Sequence, residues 1–151
     1  MKIHGYRLPN TLYNLIKNKT LLELPLLSVA VLYPLVPRGV KISGGAYDGL
    51  RLYNIDSIKR ESQPSHLYKD LGELYAMSSS ICSGEQISDL HILDVDMALL
   101  IAGNYDEEII ALDYRVDSST PRILGFFGYW VLLANSFAEF AEKTGLLADA
   151  D

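Results

Sequence analysis

The chain has 151 residues, with 13 basic and 19 acidic side chains for a formal net charge of −6, and 49% of its residues are hydrophobic. That is the size of one domain with enough apolar material for a buried core, which excludes a chain disordered throughout. The single cysteine, Cys82, excludes an intramolecular disulfide and a cysteine-only metal cage, and it suits a reducing, cytoplasmic setting.

From the N-terminus, Met1 to Arg7 is polar where a secretory leader would be apolar, so no leader is expected. After Leu8-Pro9-Asn10, the segment 11–19 carries Leu12, Leu15 and Ile16 at helical spacing and predicts a short amphipathic helix. The apolar run from Leu21 to Pro37 has fourteen uncharged residues between Glu23 and Arg38, against roughly 20 for a spanning helix. Pro25, Pro34 and Pro37 also interrupt helical hydrogen bonding. The run therefore predicts a buried strand or short helix between turns, and no membrane association.

Ser43-Gly44-Gly45 and Asp48-Gly49 punctuate a turn region, followed by a short strand over Leu50 to Tyr53. Asn54 or Asp56 then caps a brief helix that reaches about Glu61. Leu67, Leu71, Leu74 and Tyr75 lie on one stripe of a further helix over His66 to Met77, and Ser78 to Gly84 reads as a small-residue loop.

The second half predicts a β-hairpin from Met97–Gly103 and Ile109–Arg115, joined by Asn104 to Glu108. A turn at Ser118 to Pro121 leads into a third strand over Arg122 to Phe127, ended by Gly128, and a short apolar segment follows over Tyr129 to Ala134. Ser136 and Glu139 have capping-box spacing. Phe137, Phe140 and Ala141 form the inward stripe of that helix, and Gly145 is its stop. Strands mixed with segregated helices, without a βαβ rhythm, predict an α+β fold. The domain is expected over residues 1–146, with a frayed tail over 147–151.

The charge is uneven. Residues 89–117 hold eight acidic groups and one basic group, Arg115, a net of −7 that exceeds the excess of the whole chain. An acidic surface repels phosphate backbones, so direct nucleic-acid binding is not expected. Such a surface either attracts a basic protein or simply solvates the molecule.

The motifs of catalysis are sparse. No G-x-S-x-G elbow is present, Gly44-Gly45 lacks the Gly-Lys-Ser/Thr of a phosphate loop, and Cys82 lies in no recognised nucleophile signature. Along a strand, Asp94 and Asp96 would point to one face. They lack the glycine and terminal glutamate of a calcium loop, and His4, His66 and His91 are too scattered for zinc, so no metal site is expected. Trp130, between Tyr129 and Val131, reads as core. A hydrolase built on buried carboxylates finds no supporting motif.

Residues from about Asp94 to Leu146 resemble the SUKH superfamily, which includes the Smi/Knr cell-wall regulators and many bacterial immunity proteins. The order that carries the resemblance begins with Asp94-Val95-Asp96 leading into Leu99 to Ala102, then an acidic link and Ile110 to Arg115. Thr120-Pro121-Arg122-Ile123, an aromatic segment with Trp130, and Ala134 to Phe140 complete it. Leu8-Pro9 looks like the family's entry to its first helix, and Gly44-Gly45 echoes an Asn-Gly-Gly turn. Ser43 stands where asparagine is usual, and the proline-broken run departs from the pattern.

The resemblance implies a single α+β domain with a central, mostly antiparallel sheet flanked by helices. It implies a non-catalytic protein-binding module without cofactor, which in bacteria neutralises a cognate toxin, often a nuclease, or else a regulatory scaffold of the cell-wall type. Joined to the charge pattern, it points to a basic toxin domain as partner. The contact residues expected are Asp94, Asp96, Asp106, Glu107, Glu108 and Asp117 for charge, with Tyr105 as an aromatic anchor. Asp113 and Arg115 are expected to pair within the sheet instead.

Overall fold

The computed structural model describes residues 1–63 and 93–149. The helix expected over 66–77, the loop over 78–84, and Cys82, His66, Asp89 and His91 lie outside the described residues.

The N-terminal strands β1 (Lys2–Ile3) and β2 (Tyr6–Arg7) form a small hairpin, and α1 (Asn10–Ile16) follows, with Leu12, Leu15 and Ile16 turned inward as the spacing predicts. The proline-broken run forms both of its expected alternatives in sequence. A 3₁₀ turn (Leu21–Glu23) precedes β3 (Leu26–Ser28), a single helical turn α2 (Val29–Leu32), and a second 3₁₀ turn (Tyr33–Leu35). The run is not buried throughout. Thr20 and Glu23 close a capping box around the first turn, which turns Leu21 and Leu22 to solvent.

After a 3₁₀ turn at Gly45–Tyr47 come β4 (Gly49–Leu52) and α3 (Ile55–Glu61). Asn54, not Asp56, caps α3 by accepting the Ser57 N–H at 2.7 Å. A 3₁₀ turn at Val95–Met97 opens β5 (Ala98–Gly103), which pairs with β6 (Ile109–Asp113). β7 (Arg122–Phe126) and β8 (Trp130–Ala134) follow, so the apolar segment after Gly128 is a fourth strand of the meander. α4 (Phe137–Thr144) ends at Gly145, and a last 3₁₀ turn covers Leu146–Asp149, running from the expected domain end into the stretch expected to fray.

The capping of α4 differs in one detail from the expected box. The Ser136 hydroxyl accepts the Glu139 N–H at 3.1 Å, but the Glu139 carboxylate accepts the N–H of Asn135, one residue before the cap.

Six strands make one antiparallel sheet in the order β3-β4-β5-β6-β7-β8, an α+β architecture with helices against the sheet. Period-two alternation sorts its side chains into two cores. Leu27, Leu50, Leu52, Leu99, Ile110 and Leu112 face α1, α2 and α4. Ala98, Leu100, Ala111, Leu124, Phe126 and Trp130 form a second cluster on the opposite side, where Trp130 is fully buried, as its apolar neighbours suggest. A register shift between Leu100 and Ala102 lets β5 bend. There the Leu100 N–H, freed from the ladder, donates to the Ser62 hydroxyl at the end of α3, at 2.8 Å.

Candidate functional site

The expected contact residues fall at two ends of one hairpin. Asp94 and Asp96 precede β5, and Asp117 follows β6, at the end where Ala98 pairs with Asp113. Tyr105, Asp106, Glu107 and Glu108 form the connection at the other end. Six strand residues lie between the two sets, roughly 20 Å at about 3.3 Å per residue. At physiological salt the screening length is about 8 Å, so the expected contact residues act as two separate groups and not as one patch.

At the first end, Asp94 and Asp96 do not sit on a strand. Asp94 caps a 3₁₀ turn by accepting the Asp96 N–H at 3.0 Å, and the Tyr6 hydroxyl ties this turn to the N-terminal hairpin through the Asp96 carbonyl, at 3.1 Å. The turn wins over alternation because the aspartate side chain satisfies a local amide. Asp117 likewise accepts the Ser119 hydroxyl and the N–H groups of Ser119 and Thr120, and these bonds hold its carboxyl below the usual range. Its role there is to shape the β6–β7 turn.

The second end is a locked loop. Asn104 accepts the N–H groups of Asp106 (3.0 Å) and Glu108 (3.1 Å) on its Oδ1. Its Nδ2 donates to Glu108 Oε1 at 2.9 Å and toward the Gly49 carbonyl at 3.3 Å. Glu108 is buried, with 6% of its surface exposed, and it accepts the N–H groups of Ser43 at 2.7 Å and Gly44 at 2.8 Å. The Ser43 hydroxyl in turn donates to Asp106.

The glycine-rich turn is therefore clamped to the hairpin tip by a carboxylate more than sixty residues away in sequence. Glu108 leaves the set of surface contacts because its oxygens are committed to that clamp. Asp106 is exposed but partly committed, while Glu107 and Tyr105 are exposed, Tyr105 at 90%. Glu107 sits at a φ of +63°, a conformation that the surrounding clamp holds in place.

Asp113 and Arg115 do pair, and a third residue missed in the sequence joins them. Asp113 is fully buried and accepts Arg115 Nε at 2.8 Å, Arg122 Nε at 3.1 Å and a second nitrogen from each guanidinium. The register places Arg122 directly across from Asp113. Burial pushes the Asp113 carboxyl up, but the two arginines overcome this and hold it below the ordinary aspartate range. Strand pairing is the signal that would have found Arg122.

Among the described residues, no three His, Cys, Asp or Glu side chains come together to hold a metal, and no helix is long and apolar enough to cross a membrane. No family model, no curated protein and no solved structure matches the chain.

Proposed function

We propose that the protein is a non-catalytic binding module, an immunity protein that neutralises a basic toxin domain through the β5–β6 tip. The observation that carries this reading is the rigid loop from Asn104 to Glu108, which presents an almost fully exposed tyrosine beside the Glu107 carboxylate. A tyrosine on an ordered loop loses little freedom when it inserts into a partner, and aromatic side chains of this kind dominate binding energy. The neighbouring acids raise the rate at which a basic surface is captured. The six-stranded antiparallel sheet with flanking helices is compatible with the SUKH resemblance of residues 94–146.

The test is co-expression with the toxin domain encoded next to the gene in its source genome. Host growth is expected only when both proteins are made, and the rescue is expected to weaken in Tyr105→Ala and Glu107→Lys. A neighbour without toxicity, or a toxin that kills regardless of this protein, overturns the reading.

A further inference from the structure

On the sheet face opposite α1, α2 and α4, the β3–β5 edge holds a groove of about 400 Å³ that meets the hairpin tip only at Asn104 and Tyr105. That volume lies in the range of small-ligand sites. Register puts Leu26, Arg51 and Gly103 abreast across β3, β4 and β5, and Tyr53 extends the same face just beyond β4. Leu21 and Leu22, the two leucines that the capped turn exposes, form one wall.

Two half-buried polar groups face this apolar setting with donors to spare. Arg51 is half-buried, donates one hydrogen bond to the Leu24 carbonyl at 2.9 Å, and lies 6.0 Å from the centre of the Tyr47 ring. Among the described residues no carboxylate pairs with it. The Tyr53 hydroxyl accepts and donates no hydrogen bond among the described residues. Its ring is seated so closely over Gly103 that a Cβ there would lie 2.2 Å from the phenol oxygen. The one acid in the lining, Glu61, is already paired with Arg60 at 3.4 Å.

We propose that this groove binds a small aliphatic carboxylate, with the acid group on the Arg51 guanidinium and the Tyr53 hydroxyl and the chain against Leu21, Leu22 and Leu26. A guanidinium fixed by a carbonyl and an aromatic ring presents its remaining donors as a ready fork for two carboxylate oxygens. Burial, reinforced by the Glu61 charge, pushes the Tyr53 phenol up to about 12, which keeps it a donor at neutral pH. The apolar walls supply the rest of the affinity by removing a hydrocarbon chain from water.

The experiment is calorimetric titration of the full chain with octanoate and with octanamide, which has the same body without the charge. Octanoate is expected to bind at least tenfold more tightly than octanamide. Arg51→Gln is expected to weaken octanoate at least tenfold and octanamide by much less, so that the preference is lost. Tyr53→Phe, which keeps the shape of the ring, is expected to weaken octanoate several-fold with an unaltered melting temperature. Equal affinity for the acid and the amide, no binding of either, or an Arg51→Gln protein that binds octanoate as well as the parent each overturns the assignment. A short peptide ending in a free leucine carboxylate that binds more tightly than octanoate overturns it in favour of a protein terminus.

Discussion

At the residue scale, two buried carboxylates do structural work, and their environments give opposite forecasts for the sequence reading. In sequence Glu108 reads as a surface acid beside Asp106 and Glu107, yet its oxygens hold the Ser43 and Gly44 amides. Sequence patterning cannot join positions 43 and 108, since the turn and the tip meet only once β4 has paired with β5. Glu108→Ala strands two backbone donors and is expected to lower stability by about 3 kcal/mol, measured by denaturant unfolding.

Asp113, in contrast, is legible as a structural partner of Arg115 because opposite charges two residues apart can meet locally, and the structure pairs them with Arg115 just beyond the end of β6. Its carboxyl titrates below its unfolded value, so the stability it adds is present above about pH 4 and is lost as pH falls through its folded value. Asp113→Asn is expected to cost about 3–5 kcal/mol at neutral pH. The gap between variant and parent is expected to close in acid, which unfolding curves from pH 7 to pH 2 would reveal.

At the element scale, the β-meander was readable because its strands are short apolar runs separated by turn residues. The hairpin from β5 to β6, the third strand and the stop at Gly128 all follow that pattern. α1 and α4 were readable from the three- and four-residue spacing of their buried side chains. The stretch from Leu21 to Leu35 was less legible: four elements of three or four residues each are too short for any period to register.

The exposed leucines of its first turn mark where hydrophobicity alone misleads, because they face the groove and not the core. Gly103 has a role of the same hidden kind. Gly103→Ala places a methyl group against the Tyr53 hydroxyl. It is expected to destabilise the protein by about 1–3 kcal/mol through overpacking, and Gly103→Ala combined with Tyr53→Phe is expected to recover part of that loss in a thermal melt.

At the scale of the whole molecule, the linear charge sum was the feature least able to survive folding. Asp94, Asp96 and Asp117 lie at one end of β5 and Asp106 and Glu107 at the other, so these acids are divided by a distance that salt screens. One end is occupied with shaping turns and anchoring the N-terminal hairpin through Tyr6. The other combines a clamped backbone, an exposed tyrosine and free carboxylate surface, which is why the proposed contact is placed there.

The most direct measurement of the proposed function is the affinity of the proposed toxin partner for the parent protein, Tyr105→Ala, Glu107→Lys and the double variant Asp94→Asn/Asp96→Asn. Asparagine caps turns as aspartate does, so the double variant removes charge at the far end while keeping its shape. The expected result is a loss of at least tenfold for Tyr105→Ala, a salt-sensitive loss for Glu107→Lys, and a change within twofold for the far-end variant. Unchanged affinity in Tyr105→Ala, or an equal loss when only the far end is altered, would contradict the placement of the contact at the hairpin tip.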